Sequence, residues 1–407
     1  MASDQDWTEI PGGITAASGF RAWATHCGVH AGSSARKPDL TIIYSQRASV
    51  GAATFTTNKV KAAPVRVSAV HLRSAQVRAI VLNSGNANAC TGLPGIRAAQ
   101  RMARSTANAL GLREKQVLVC STGRIGVPLP VERIEEAIPR MIKGPGRGGS
   151  ARAARAIMTS DTRPKEMAVQ FSVRGKPVVI GGIAKGAGMI DPNMATMLCA
   201  LTTDVNIGKS HLQRALSEAV EQSFNRITVD GDMSTNDTVI LLANGTDESP
   251  AIRPGTSEFD RFQSALNHIC RQFARMIVLD GEGVSKFVEV RVNGAASRAD
   301  ARRAADAVAN SALVKCAWHG NDPNWGRILD AVGYSGARVR EELVDLFYNG
   351  VSAVHGGVAS RTPPAKIKEV VSAPRFTVHI NLHLGSGEHT IYTTDLTPEY
   401  VRFNMGE

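Results

Sequence analysis

The chain has 407 residues, of which 43% are hydrophobic and 20% charged, as in ordinary globular proteins, and this length allows two or three domains. No apolar run approaches the roughly 18 residues of a membrane span, and the N-terminal stretch MASDQDWTEIPGG resembles neither a secretory signal nor a transit peptide. The net charge of +11 invites a nucleic-acid reading, but the basic residues are scattered over Ala/Arg-rich helical patterns and aromatic residues make up only 5%. We therefore expect a cytoplasmic enzyme that binds neither nucleic acid nor membrane.

The first half of the chain alternates short β-rich runs with amphipathic helices. VRAIVLNSG (77–85) predicts a strand, 95–112 a helix, QVLVCSTG (116–123) a second strand and 130–142 a second helix. The glycine-rich stretch KGPGRGGS (143–150) predicts a loop. Residues 166–185 alternate like a β-hairpin that turns at Arg174 and Gly175.

The second half continues the same alternation and then restarts it. A helix is predicted at 209–224, a strand at 238–245 and a long helix at 257–279. From about residue 284 a new pattern begins, with a strand, a helix and two later strands at 286–294, 298–314, 375–384 and 388–396. These patterns predict a layered α/β fold over 1–283, with a sub-domain at about 140–185, and a smaller α+β domain over 284–407.

Cysteines and histidines show no metal-binding spacing. The six cysteines include no C-x-x-C pair, which argues against a structural zinc site and a disulfide scaffold, and most lie in apolar runs that predict buried thiols. His379 and His383 in HINLH would share one face of a strand, but two histidines are too few to predict a metal site. No metal and no bound cofactor are expected.

One segment, AKGAGMIDPNMATMLCALTTDV (184–205), carries a candidate nucleophile. A glycine-rich turn runs into an apolar strand, and Thr196 lies where the turn becomes the strand. A threonine hydroxyl needs a base, and its own α-amino group can serve if the bond between Ala195 and Thr196 is first cleaved. An α-amino group has a pKa of about 7.7–8.0, so part of it is neutral near pH 7. The segment alone is also typical of an ordinary buried strand.

Other segments of the chain strengthen the hypothesis that Thr196 is a nucleophile. The run from Lys185 to Leu198 closely resembles the self-cleaving block of the glutamate N-acetyltransferase family of arginine biosynthesis, also called the ornithine acetyltransferase family. Further blocks of that family follow in family order over nearly the whole chain: NSGNANACTG, STGRIG, AIMTSDTRPK, FNRITVDGDMSTND, DGEGVSK and DPNWGRI. The resemblance implies an αββα-like sandwich with a smaller C-terminal α+β domain, and we expect the nucleophile at the edge of a central sheet.

The resemblance also implies a mechanism and a set of site residues. Thr196, freed by cleavage after Ala195, would take acetyl from N-acetyl-ornithine and pass it to glutamate in a ping-pong reaction. Thr122 and Gly123 would form the oxyanion hole, and the substrate-binding positions would be Thr196 together with Thr159, Lys185, Glu282 and Asn404. The family further implies an α₂β₂ heterotetramer, and some of its members also use acetyl-CoA as donor.

Three positions depart from the family pattern. Arg124 replaces a small apolar residue, and Met233 replaces a threonine. The chain ends at Glu407, three residues after Asn404, where family chains usually continue to a terminal Ser or Thr that contacts substrate. Despite these departures we still expect self-cleavage and acyl transfer. Ornithine and glutamate are less firmly implied as the substrates.

Alternative functions remain open at this point. The chain is also compatible with a paralogue acting on a related amino acid in specialised metabolism. A related N-terminal-nucleophile amidase or aminopeptidase would release the acyl group to water instead of to glutamate. Two further alternatives are a non-enzymatic interaction protein and, ranked last, a nucleic-acid-binding module.

Overall fold

The computed structural model describes residues 7–29, 37–143, 149–191, 197–245 and 251–405. The chain divides into two compact units. The first unit comprises residues 1–186, 193–225 and 233–273, and the second comprises 187–192, 226–232 and 274–407. The predicted domains 1–283 and 284–407 stay a prediction, because a compact unit is not by itself an independently folding domain.

The strands of the first unit form two sheets. They are β1 (Trp7–Ile10), β2 (Phe20–Thr25), β3 (Leu40–Ser45), β4 (Val50–Phe55), β5 (Ala79–Asn86), β6 (Val117–Arg124), β7 (Lys165–Val173), β8 (Lys176–Lys185), β9 (Leu198–Thr203) and β10 (Thr238–Ala243). One sheet has the order β1-β7-β8-β9-β10-β4, in which β9 and β10 are parallel and all other neighbours antiparallel. The other has the order β2-β3-β5-β6, in which only β5 and β6 are parallel.

Helices pack against both sheets of the first unit. They are α1 (Ala63–His71), α2 (Gly92–Leu110), α3 (Val131–Lys143), α4 (Gly149–Ala156), α5 (Lys209–Glu221) and α6 (Ser257–Leu279). Helices α1, α2 and α3 share an apolar core with the four-stranded sheet, and α5 packs on the outer face of the six-stranded sheet, as Phe262 of α6 does on Phe171. The inner faces of the two sheets, with α4 between them, form a second core that includes Ile80, Ala153 and Ile183. This helix–sheet–sheet–helix order confirms the predicted αββα-like sandwich.

The second unit is an α+β structure built on one sheet. Its strands β11 (Phe287–Ala295), β12 (Asp345–Tyr348), β13 (Val351–His355), β14 (Val358–Ala359), β15 (Arg375–Asn381) and β16 (Gly387–Thr394) have the order β14-β13-β12-β15-β11-β16. Its helices are α7 (Arg298–Asn310), α8 (Ala312–His319), α9 (Trp325–Tyr334), α10 (Pro364–Ser372) and α11 (Pro398–Asn404). A short 3-10 helix lies at Glu341–Leu343 in this unit, and two others in the described chain lie at Glu114–Gln116 in the first unit and at Phe224–Arg226. The core of this unit packs the fully buried Trp318 against β-sheet residues such as Val288 and Phe376.

Most predicted elements are confirmed within a few residues. Helix α6 has the predicted bounds, and the hairpin β7–β8 turns at Arg174 and Gly175, as predicted. The predicted loop 143–150 is only partly described: Lys143 ends α3, Gly149 begins α4, and 144–148 lie outside the described residues.

Two predictions in the second unit were wrong. The helix predicted over 298–314 is broken at Ser311, whose backbone is extended and whose hydroxyl accepts the Val314 N–H, so that it caps a new helix, α8. The strand predicted over 375–384 ends at Asn381, so His379 and His383 do not share a strand face. His379 instead contacts Asn293, and His383 contacts Asp345.

The cysteines are more varied in burial than predicted. Cys120, Cys199 and Cys270 are buried, whereas Cys90 and Cys316 are exposed.

In the described parts of the chain, no helix combines the length and the apolarity that crossing a membrane would require.

Candidate functional site

The turn that ends β6 carries the first predicted site residues. In the parallel pair β5–β6, Thr122 lies opposite Ser84 and Gly123 opposite Gly85. Gly123 has a φ of +128°, and a Cβ there would overlap the backbone of Gly85 and Asn86. Only glycine fits both the conformation and the space. The Gly123 N–H is therefore held in a fixed direction at the end of a strand, next to the buried hydroxyl of Thr122.

Buried amide side chains hold this turn in place. Ser121 donates its hydroxyl hydrogen to Asn83 Oδ1 at 2.6 Å, and Asn83 Nδ2 donates to the Asn86 carbonyl at 2.9 Å. Asn236 Nδ2 donates to the carbonyls of Ala87 and Ser121 at 2.7 and 2.8 Å. Because an unpaired buried amide is costly, these bonds strongly favour one geometry for the turn. No role was predicted for Asn83 and Asn236, although they lie in two of the quoted blocks.

Lys185 reaches the same turn from the six-stranded sheet. It is the last residue of β8, only 2% of it is exposed, and its Nζ donates to Thr122 Oγ1 at 3.2 Å. In the antiparallel pair β8–β9, Lys185 lies opposite Leu198, which is two residues after Thr196. The strand register therefore brings the Lys185 ammonium and the Thr122 hydroxyl to the end of the sheet at which β9 begins.

Asp161, which the sequence analysis did not single out, connects these residues. Its Oδ1 accepts from Lys165 Nζ at 2.7 Å and from the Gly186 N–H at 2.8 Å, and its Oδ2 accepts from the Thr159 N–H at 3.0 Å. Burial raises the pKa of Asp161, but the charges of Lys185 and Lys165 and the Gly186 N–H outweigh it, so this pKa lies below its usual range. The carboxylate is therefore charged at neutral pH. The only local signal in the sequence was that Asp161 lies four residues before Lys165 in the quoted block AIMTSDTRPK.

The chain on the far side of the candidate cleavage site is firmly anchored. Met197 is buried, its N–H donates to Asp237 Oδ1 at 2.9 Å, and its carbonyl accepts from the Thr238 N–H at 3.1 Å. Strand β9, which follows, is an interior strand of its sheet, between β8 and β10. Ala195 and Thr196 themselves lie outside the described residues, as do 192–194.

The two substituted positions of the family pattern lie in the first unit. Arg124 is exposed, and its carbonyl accepts from the Ala87 N–H at 3.0 Å. The Met233 carbonyl accepts from Asn58 Nδ2 at 3.2 Å, and its Sδ lies 3.5 Å from Thr57 Oγ1. Arg124 thus directly follows the Gly123 turn with its side chain on the surface.

In the second unit, Glu282 and Asn404 are brought together. Asn404 Nδ2 donates to Glu282 Oε2 at 3.1 Å, and the Glu282 N–H donates to the Ala187 carbonyl at 3.0 Å. The Glu282 carboxyl group lies directly over Gly188, where a Cβ would overlap it. Gly188 of the KGAG stretch therefore makes room for the acid of the DGEG turn.

A second acidic group supports the segment after Gly188. Asp230 accepts the N–H groups of Met189 and Ile190 at 2.6 and 2.7 Å and the Tyr400 hydroxyl at 3.2 Å. Burial raises the pKa of Asp230, and burial together with neighbouring acids, Asp306 first, raises the pKa of Asp191 to about 7. Asp191 therefore titrates near neutral pH, five residues before Thr196 in the sequence.

The described residues of the predicted site thus form two clusters. The Lys185 cluster of the first unit consists of the predicted residues Thr122, Gly123, Thr159 and Lys185, and Asp161 and Lys165 lie beside it as structural neighbours. The Glu282 cluster of the second unit consists of Gly188, Glu282 and Asn404. Among the residues that the structure describes, no group of three or more His, Cys, Asp or Glu side chains is arranged to hold a metal ion.

Comparison with known proteins identifies the relatives of this chain. The model of the ArgJ family matches residues 21–406. The arginine biosynthesis bifunctional protein ArgJ of Geobacter sulfurreducens is 48% identical over 95% of this chain and 98% of its own length. The glutamate N-acetyltransferase of Methanocaldococcus jannaschii is 45% identical over 97% of this chain and 98% of its own length.

One of the similar solved structures covers about half of the chain. The crystal structure of the arginine biosynthesis bifunctional protein argJ from Bacillus halodurans is 39% identical, covers 51% of this chain and 98% of that one, and has a TM-score of 0.49. The family match and the two full-length relatives confirm the predicted family and the prediction that the chain is an enzyme. The chain belongs to the ArgJ family.

Proposed function

We propose that this chain is a glutamate N-acetyltransferase that moves acetyl from N2-acetyl-L-ornithine to L-glutamate in arginine biosynthesis. Its family and the names of its relatives support this class of reaction. The observation that carries the proposal is the contact of Lys185 Nζ with Thr122 Oγ1 at 3.2 Å, at the end of the sheet where β9 begins. A buried cation, a buried hydroxyl and the rigid Gly123 N–H lie together there, and Leu198, which is two residues after Thr196 in the sequence, is the strand partner of Lys185.

The nucleophile is proposed to form by self-cleavage. The Thr196 hydroxyl attacks the Ala195 carbonyl, the peptide nitrogen leaves as the α-amino group of Thr196, and water hydrolyses the resulting ester. The new α-amino group, with a pKa of about 7.7–8.0, then accepts the hydroxyl proton when Thr196 attacks a substrate. The firm anchoring of Met197 supports this step, because it holds the chain on one side of the bond while the other side is released.

Acetyl transfer then proceeds in two matched halves. Thr196 Oγ attacks the acetyl carbonyl of acetyl-ornithine, and the tetrahedral intermediate collapses to acetyl-threonine and ornithine, whose amine leaves with the proton. The amine of glutamate attacks the acetyl-threonine, and the same steps run in reverse. In each half the oxyanion receives hydrogen bonds from the Thr122 hydroxyl and the Gly123 N–H, which are fixed before the charge develops.

The substrate-binding roles follow from charge. Lys185 and Thr159 are proposed to bind the substrate carboxylate, and since an ammonium has three N–H donors, Lys185 can contact Thr122 and a carboxylate together. Glu282 is proposed to bind the substrate ammonium group, oriented by its bond with Asn404. No cofactor is needed for a covalent acetyl-enzyme, and acetyl-CoA is proposed as a second donor. The α₂β₂ heterotetramer and the cytoplasmic location are part of the same proposal.

A donor-by-acceptor matrix tests the function. Purified protein is incubated with acetyl-ornithine, acetyl-glutamate or acetyl-CoA against glutamate, ornithine and related amines, and products are quantified by mass spectrometry. We expect acetyl-glutamate to form from acetyl-ornithine and glutamate. Acetate that accumulates while glutamate fails to trap acetyl would make the enzyme a hydrolase. Turnover of other amines alone would remove the arginine pathway and keep the chemistry.

Replacing the acid of the DGEG turn tests the ammonium contact. We expect Glu282→Gln to raise KM for acetyl-ornithine and glutamate about 10- to 100-fold, because a charge-assisted hydrogen bond is lost. Glu399→Gln, at an exposed acid of α11 paired with Arg402, is the matched control and should change KM less than about twofold. Equal effects of the two variants would contradict the assignment of Glu282.

Adding one methyl group at Gly188 tests the same contact without removing a charge. The new Cβ would overlap the Glu282 carboxyl group, which lies at the end of a flexible side chain and can move away. We therefore expect Gly188→Ala to raise KM about 10-fold while the melting temperature falls by only a few degrees, about 1 kcal/mol. Gly333→Ala in α9, where a Cβ meets nothing within 4 Å, should leave KM unchanged and raise the stability by up to about 1 kcal/mol, as alanine does in a helix. An unchanged KM in Gly188→Ala would show that Glu282 does not bind substrate from this position.

A further inference from the structure

Asp161 has no part in the proposed chemistry, yet its buried carboxylate holds the backbone and the charges around Lys185. Its side chain is fully buried and bonds the N–H of Gly186, the residue directly after Lys185, as well as the N–H of Thr159. We propose that Asp161 is a positioning residue that holds Lys185 as a donor to Thr122 and thereby sets the direction of the Thr122 hydroxyl hydrogen. This inference rests on the proposed function and deepens its oxyanion hole.

The direction of that hydrogen follows from donor and acceptor roles. A lysine ammonium has only donors, so in its 3.2 Å contact with Thr122 the hydroxyl oxygen must accept. One lone pair of the Thr122 oxygen is then occupied by Lys185, and the hydroxyl hydrogen is turned away from Lys185. A hydroxyl held in this way is a prepared donor for a developing oxyanion and needs no reorientation during the reaction.

The carboxylate is needed because both neighbouring cations are buried. Lys165 and Lys185 are each 2% exposed, and a buried ammonium without a counter-charge is strongly unfavourable. Asp161 faces both charges, and the two backbone N–H groups bonded to it keep its oxygens in place. Without its charge, the Lys185 ammonium gains by moving toward water and away from Thr122.

Kinetics of a double-mutant cycle test this coupling. We expect Asp161→Asn to lower kcat about 10- to 100-fold, part of the 10²–10³ that an oxyanion donor supplies, and to raise KM as well, because Lys185 is also proposed to bind the substrate carboxylate. Thr122→Val removes the hydroxyl, so in that background Asp161→Asn should cost less than about threefold. Thr122→Ser, which keeps the hydroxyl, should keep the full effect of Asp161→Asn. Effects that multiply in the Thr122→Val background would overturn the proposal.

Lys165→Met is the matched control for structural damage. Lys165 shares the same carboxylate, with Nζ 2.7 Å from Asp161 Oδ1, but has no place in the oxyanion hole. We expect it to lower the melting temperature as Asp161→Asn does while kcat stays within about threefold. A loss of kcat equal to that of Asp161→Asn would mean that the pair only stabilises the fold. If Asp161→Asn does not fold, Asp161→Glu keeps the charge, displaces it, and is measured in the same cycle.

A crystal structure of the Asp161 variant tests the positioning without any activity. We expect Lys185 Nζ to lie beyond about 3.5 Å from Thr122 Oγ1, and a retained contact would overturn the proposal. A wild-type protein that transfers no acetyl while the variant displaces Lys185 would refute the proposed function and leave the positioning role standing.

Discussion

Replacing Thr196 by alanine is expected to leave one uncleaved chain of 43.2 kDa and to abolish acetyl transfer. The wild-type protein should instead give two chains, residues 1–195 and 196–407, in denaturing gels and by intact mass. Both effects have one cause: the hydroxyl that attacks Ala195 is the hydroxyl that later accepts acetyl. Removing a nucleophile from a catalytic group that acts as a unit typically costs about 10⁴-fold or more in kcat.

Thr196→Ser separates the hydroxyl from the side-chain methyl group. Serine keeps the nucleophile and, after cleavage, the α-amino base, so slower cleavage and measurable transfer are expected. With acetyl-ornithine alone, the wild-type chain beginning at residue 196 should gain the mass of one acetyl group, whereas the uncleaved Thr196→Ala chain should gain none. An alanine variant that is cleaved and turns over normally would reject the mechanism.

The sequence was most informative where local pattern decides the structure. The period of the apolar residues predicted α6, and the alternation in 166–185 predicted the β7–β8 hairpin. It failed where a single side chain competes with the helix pattern, as Ser311 does by capping α8. It failed also at His383, where the chain leaves the strand with a φ of +50°.

The candidate site shows the same difference between features encoded in one stretch of sequence and features that depend on distant contacts. The Gly123 turn could be predicted because it lies in one contiguous block, whereas Thr196 as the nucleophile stays a prediction because it lies outside the described residues. Asp161 could not, because its role depends on a register that sets Lys185 opposite Leu198 and on bonds across 25 residues to Gly186. The amide of Asn236 likewise reaches Ser121 across 115 residues, and no periodicity within either block encodes that contact.

Replacing Gly123 by alanine should have the second-largest effect, because it combines two separate costs. At a φ of +128° any side chain is strained, by about 1–3 kcal/mol, and the Cβ would also overlap the backbone of Gly85 and Asn86 on the neighbouring strand. That backbone is held by Asn83 and Asn236 and cannot move away cheaply. We expect the free energy of unfolding to fall by about 2–4 kcal/mol, measured by urea denaturation.

The effect of Gly123→Ala on transfer should exceed its effect on folding. Displacing the residue-123 N–H removes one oxyanion donor, so kcat of the folded fraction should fall about 10²- to 10³-fold. Gly126→Ala is the matched control: Gly126 lies three residues on with a φ of +80°, and a Cβ there meets nothing within 4 Å. It should cost only the backbone strain, about 1–2 kcal/mol, and leave kcat within about threefold. If both alanine variants transfer acetyl equally well, the Gly123 N–H is not an oxyanion donor, and the chemistry must use another group.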